Sequence, residues 1–170
     1  RVDLNDYTII ILPGGSYDDL GKQGIEKFTN WVKNGGNLIA YKNANAWVSE
    51  NLKLDIQFKA NVKIETEGIP NFASRREDAN IQAVSGAIFE VNFDPSHPLA
   101  YGLQGNTLPV FKSGSSVAEL PKNNYNSPFR YSDSPLKSGY CSVENVERIK
   151  NAPFILTNRL GRGVVISILD

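Results

Sequence analysis

Methionine is missing from this 170-residue chain, and cysteine and histidine occur once each. A native start carries Met or a signal peptide, so Arg1 reads as an internal point of a longer protein. The far end is as abrupt, with an apolar β-type run over 164–169 and a single residue after it. Cys141 alone can form neither an internal disulfide nor a cysteine-based metal cluster, and it leaves the compartment open. His97 alone excludes His-rich zinc sites and the HExxH arrangement. No charge excess exists: 18 basic side chains stand against 18 acidic ones. That balance supplies no field to gather nucleic acid or an anionic membrane. The close basic pair Arg75-Arg76 is followed at once by Glu77 and Asp78. Long apolar runs are lacking too. The longest, Ile9-Ile10-Ile11-Leu12, falls far short of the ~20 residues of a spanning helix.

What remains fits one α/β domain over 1–170, long enough to bury a substantial core. Residues 7–12 read as a parallel strand covered on both faces and closed by Pro13-Gly14-Gly15. Asp18 and Asp19 suit a helix start, Ile25, Phe28 and Val32 recur at helical spacing beside Trp31, and Gly35-Gly36 ends the helix. Residues 38–41 form a second buried strand, which makes a strand-helix-strand unit with an expected right-handed crossover. Ala44, Trp47, Val48 and Leu52 then space a second helix. Leu54, Ile56, Phe58, Ala60, Val62 and Ile64 alternate with polar residues, which predicts an exposed strand or hairpin arm. Residues 66–80 read as a polar loop, 88–93 as a strand, and 94–135 as loops around brief strands. Residues 143–150 make two helical turns. Residues 154–156 and 164–169 flank Leu160-Gly161-Arg162-Gly163 as a C-terminal β-hairpin.

In open α/β sheets function collects at the carboxyl ends of strands. The first such end is Pro13-Gly14-Gly15-Ser16-Tyr17, where glycines allow close backbone approach and amides near a helix start can meet an anion. A tight turn that merely needs glycine explains the same residues. The second is Tyr41-Lys42-Asn43-Ala44-Asn45, a strand entering a helix as a nucleophile elbow does. Its tip is Lys42 or Asn43, and neither is an acyl-transfer nucleophile. Lys42 could be activated by burial for Schiff-base chemistry or be a solvated surface lysine. Cys141 reads as a small packing residue, or else a reactive thiol. His97, held extended by Pro98, reads as a turn anchor, or else a base or ligand.

The succession strand, Pro-Gly-Gly, helix, Gly-Gly, strand, elbow resembles the class I glutamine amidotransferase-like, flavodoxin-like fold, a sheet with flanking helices. Four stretches resemble more specifically the amidotransferase-like domain appended to bacterial zinc carboxypeptidases of the carboxypeptidase A type. They are Trp31-Val32-Lys33-Asn34-Gly35-Gly36-Asn37-Leu38-Ile39-Ala40, Ser85-Gly86-Ala87-Ile88-Phe89-Glu90, Asp94-Pro95-Ser96-His97-Pro98-Leu99-Ala100-Tyr101-Gly102, and Leu160-Gly161-Arg162-Gly163. The resemblance runs from Asp6 to Asp170. It implies a further strand-helix-strand before Asp6 and a closing helix after Asp170, so the fold is expected to be truncated at both ends. Active members place Cys at the elbow in Gly-x-Cys-x-Gly, with a later His-Glu pair. Here that stretch is Ala40-Tyr41-Lys42-Asn43-Ala44, so the cysteine is absent and the triad logic fails.

Three functional expectations follow. The first is a non-catalytic accessory domain, a pseudoenzyme, packed in cis against a zinc metallocarboxypeptidase domain. Zinc would belong to that domain, no cofactor or metal to this chain, and the resemblance implies an extracellular or periplasmic setting. The second is a divergent hydrolase using Lys42, His97 or Cys141, which requires at least two of them at one pocket. The third is a module binding a small molecule or peptide in the ancestral cleft, lined by Gly14, Gly15, Ser16, Asn43 and Asn45.

Overall fold

The computed structural model describes residues 3–63 and 71–170. In chain order the elements are β1 (Ile9–Leu12), α1 (Gly21–Lys33), β2 (Asn37–Tyr41), α2 (Ala44–Leu52), α3 (Arg75–Gln82), β3 (Ala87–Phe93), β4 (Thr107–Lys112), β5 (Phe129–Gly139), α4 (Val143–Ile149), β6 (Pro153–Leu160) and β7 (Gly163–Ile168), with short 3-10 turns between them. The described strands make one seven-stranded mixed sheet in the order β1-β2-β7-β6-β5-β3-β4. β1, β2 and β7 run parallel, and every other neighbouring pair is antiparallel. This is an α/β sheet with flanking helices, as the strand-helix-strand pattern predicts.

The parallel block is built from the amphipathic α1. Phe28, Trp31 and Val32 face inward and pack with Leu12, Leu38, Ala40 and Val165, and Trp47, Val48 and Leu52 of α2 close the same core. The Trp31 indole N–H donates to the Tyr7 carbonyl at 3.0 Å, so the large ring is buried without losing a polar partner. The β6–β7 hairpin turns through Gly161-Arg162. Its tip clamps the end of α1, with the Arg162 backbone N–H donating to the Lys33 carbonyl and its guanidinium to the Asn34 carbonyl. Gly163 is required here: a Cβ would stand 2.1 Å from the Val32 carbonyl oxygen.

A second core lies in the antiparallel half. Phe89, Val91 and Phe93 of β3 pack with Val110, Phe129, Tyr131, Ile149 and Cys141. The two halves meet at β5–β6, whose ladder pairs only Phe129 with Ile155 and Arg130 with Pro153, with a register shift between them.

Several expectations are corrected. β1 is parallel to β2 but is an edge strand with one open face: Tyr7, Ile9 and Ile11 are half-exposed, because no described element covers that side. The alternating segment from Leu54 makes no ladder, only an isolated bridge from Phe58 to Ala118. Ile56 turns inward to Leu156 and Leu169 while Phe58 stays partly exposed, and Ile64 lies outside the described residues. Within the predicted loop 66–80, residues 66–70 lie outside the described residues, and Arg75 onward is helical. Arg, Glu, Ala and Gln favour helix without an apolar stripe, and the Ile81 carbonyl is held by the Ser142 hydroxyl and the Asn145 amide. β5 begins within the predicted loop region 94–135 and runs eleven residues, to Gly139. Its polar Asp133 and Ser134 are exposed where the pairing with β3 shifts register, so no hydrophobic alternation marks it.

Candidate functional site

The carboxyl ends of β1, β2 and β7 converge, and each is followed by a residue or loop with polar groups. β2 ends at Tyr41 and α2 starts at Ala44, so the chain reverses within Lys42 and Asn43. Lys42 adopts φ +49°, a left-handed conformation that a non-glycine residue holds only when its surroundings impose it. Asn45 is the main constraint. Its buried amide donates to the Lys42 carbonyl at 3.0 Å and to the Ile168 carbonyl at 2.7 Å, tying the turn to the end of β7.

Asn43 closes the other side. Its Oδ1 accepts from the Gly15 N–H at 2.9 Å, bringing the Pro13-Gly14-Gly15 turn onto the elbow. A Cβ on Gly14 would come within 3.1 Å of that oxygen and 3.3 Å of the Lys42 Cβ. Ser16 instead donates to Asp18 within its own loop.

From the antiparallel half, the turn after β4 completes the crevice. The Lys42 ammonium donates to the Ser113 hydroxyl at 3.2 Å. The Ser113 backbone N–H donates to the Asp170 carboxylate at 2.8 and 3.1 Å. Lys112 is almost fully buried and donates its Nζ to the Ser116 carbonyl at 3.0 Å. Burial lowers the Lys112 pKa, opposed by the charge of Asp170. Burial also raises the Asp170 carboxyl above its ordinary range, opposed by Lys112, the Ser113 N–H and Lys42. The Tyr131 hydroxyl is buried without a partner, and burial raises its pKa far above the usual phenol value, with Asp170 adding to the rise.

The fold separates His97 from Lys42, and it packs Cys141 in the second core, where the thiol feels the charges of Lys112 and Arg148. Lys42 stands at the carboxyl end of β2. His97 lines an open cleft shared with Asn37, at the amino end of the same strand. Five residues of extended chain separate those ends by about 16 Å. His97 is the N-cap of a 3-10 turn, its Nδ1 accepting from the Leu99 N–H at 3.2 Å, which is the turn-anchor reading. Cys141 is packed in the second core, and burial raises its thiol pKa. Of the five proposed ligand contacts, Gly14, Gly15 and Asn43 meet at the crevice, Ser16 is exposed beside it, and Asn45 is sealed behind it.

Sequence reasoning missed Ser113 and Asp170. Ser113 is 71 positions from Lys42 in a turn without local distinction. Asp170 carried a usable signal, because it follows a parallel strand whose end points to the same crevice. Among the described residues no three His, Cys, Asp or Glu side chains gather as a metal-ligand set. No described helix is long and apolar enough to cross a membrane.

No family model and no curated protein matches the chain. Solved structures do. A ThuA-like protein from Parabacteroides merdae superposes with a TM-score of 0.53 at 15% identity, over 99% of this chain and 61% of the other. One from Bacteroides uniformis gives 0.52 at 12%, over 98% and 60%. The chain shares the ThuA-like fold. Gan42B, a GH42 β-galactosidase from G. stearothermophilus, matches with a TM-score of 0.50 at 13% identity, over 98% of this chain and 19% of that chain. This chain therefore spans about three fifths of the ThuA-like proteins and about a fifth of the galactosidase. Identity this low carries the amidotransferase-like, flavodoxin-like architecture and no activity.

Proposed function

We propose that this chain is a non-catalytic amidotransferase-like module that serves a neighbouring domain by packing or positioning. One observation carries the reading: the elbow presents Lys42, already hydrogen-bonded to Ser113, while Cys141 is buried in the other core and His97 lies at the opposite end of β2. Acyl transfer needs a nucleophile and a base within about 3 Å or one bridging water. The crevice groups are instead tied to one another. The neighbouring domain is proposed to be a secreted bacterial zinc carboxypeptidase, with proteolysis the parent's activity and zinc held there. The four sequence stretches named above support that partner. Occurrence of a like fold as a fifth of the Gan42B chain is compatible with a part within a larger enzyme.

The test has two arms. Purified chain incubated with glutamine, and with an electrophilic glutamine analogue, is expected to release no ammonia and to carry no adduct by intact-mass spectrometry. An adduct at Cys141 or Lys42, or measurable hydrolysis, overturns the non-catalytic reading. For the partner, the parent protein is expected to bind zinc and cleave C-terminal residues. Zinc-free parent preparations with no peptidase sequence alongside this region would remove the carboxypeptidase assignment alone.

A second reading is a small-ligand module at the crevice, where Lys42 and Ser113 offer donors beside Gly14. It predicts saturable amide shifts at residues 14–16 and 42–43 on titration with amino acids or short peptides. No shift at millimolar concentration would remove it.

A further inference from the structure

Away from the elbow lies a recess, a cleft of about 700 Å³ over the sheet. That size lies within the range of sites for small organic ligands. Its floor follows from strand register. Asn37, Val164, Ile166, Thr157 and Arg159 are Cα partners across β2, β7 and β6, so they project to one face, opposite the face that packs on α1 and α2. Its walls are the turn at His97 and Leu99 and the loop carrying Asn123, Tyr125 and Asn126.

The lining has a specific chemistry. Among the described residues that line it there is no carboxylate, and the ionisable groups other than Tyr125 are His97 and Arg159. Amides and a hydroxyl supply donors and acceptors together. The loop carrying them is braced: Asn123 accepts from the Tyr125 N–H, and the Thr157 hydroxyl donates to the Asn126 carbonyl. The His97 Nδ1 is occupied by Leu99, which directs the ring's remaining N–H elsewhere. Among the described residues the side chains of Tyr125, Asn126 and Arg159 form no hydrogen bond, and Tyr125 is 85% exposed. An exposed tyrosine ring offers a flat apolar surface with a polar tip.

We propose that this cleft binds a saccharide of one or two rings. The C–H face of the sugar lies on Tyr125, and its hydroxyls exchange hydrogen bonds with Asn126, Asn123 and the free nitrogen of His97. Arg159 gives a preference for a sugar bearing a carboxylate, through a two-pronged contact. An apolar occupant is disfavoured, since it would cover these amides and the guanidinium without giving them hydrogen-bond partners. The site is independent of the elbow, from which β2 separates it.

The experiment is an NMR titration of the ¹⁵N-labelled chain with glucose, maltose and glucuronate. Saturable shifts are expected at Leu99, Tyr125, Asn126, Val164 and Ile166, with dissociation constants on the order of 10 mM or tighter. Tyr125→Ala is expected to weaken binding about 3- to 10-fold, the worth of one aromatic contact, with the melting temperature unchanged because the ring packs on little. Arg159→Gln should weaken glucuronate and leave maltose unaffected. No saturable shift with any of the three sugars overturns the proposal. So does binding that maps to residues 14–16 and 42–43, or binding that Tyr125→Ala leaves intact.

Discussion

At the scale of single residues, the elbow concentrates strain and restraint. Asn45 contributes two hydrogen bonds from a fully buried amide. Asn45→Ala should therefore lower stability by about 2–4 kcal/mol, from two lost bonds and two carbonyls left buried without them. Urea denaturation measures this. Lys42 behaves oppositely: its left-handed backbone costs about 1 kcal/mol that glycine does not incur, and its exposed contact with Ser113 contributes little. Lys42→Gly should raise stability by about 0.5–1 kcal/mol. A loss instead would show that the lysine side chain holds the two halves together.

Asp170 sets a pH dependence of definite sign. Burial holds its folded pKa above the ordinary carboxylate value, so the folded state binds the proton more tightly than the unfolded chain. Its contribution is full below the unfolded value and is lost as pH rises through the folded one. Asp94 acts in the other direction. Its pKa is lowered by bonds from the Ser96 hydroxyl and N–H, so its contribution is present at higher pH and lost on acidification. Asp170→Asn should reduce the fall in stability as pH rises above the acid range, measured as melting temperature against pH relative to the parent chain.

At the scale of elements, the β6–β7 hairpin and α1 are locked by close backbone approach. Gly163→Ala would force a methyl against the Val32 and Gly36 carbonyl oxygens, neither of which is the end of a flexible side chain. The expected cost is about 2–4 kcal/mol, and far-UV circular dichroism should show whether the helix is displaced. The edge strand β1 poses a different problem. Ile9 and Ile11 are half-exposed on a strand with one unpaired side, an arrangement prone to edge pairing. Ile11→Lys should reduce self-association in sedimentation experiments while changing stability by less than about 1 kcal/mol.

At the scale of the whole molecule, two cores share one sheet across a thin seam. The β2–β7 ladder pairs five residues and β6–β7 six, whereas β5–β6 pairs two with a shift. Hydrogen exchange should be slowest in β2 and β7 and faster at Arg130 and Ile155, because the seam has fewer cooperative bonds to break. Uniform protection across all strands would show that the cores unfold as one unit.

The local grammar of the chain determined much of the fold. Ile25, Phe28 and Val32 specified α1, residues 38–41 specified β2, and Gly161-Arg162 specified the hairpin, because periodicity and turn residues act within a few positions. The missing elbow nucleophile was also readable, since a strand entering a helix at Lys42 presents whatever residue stands there. Long-range partnership decided the rest. Polar β5 became a strand because β3 supplied its hydrogen bonds, and residues near Phe58 remained bridge-like because Ala118 offered one. Ser113 reached Lys42, and Tyr125 came to line one cleft with Val164 and Ile166, through chain reversals that no window of local sequence encodes. A residue's own chemistry is written in the sequence; which groups it faces depends on how the sheet closes.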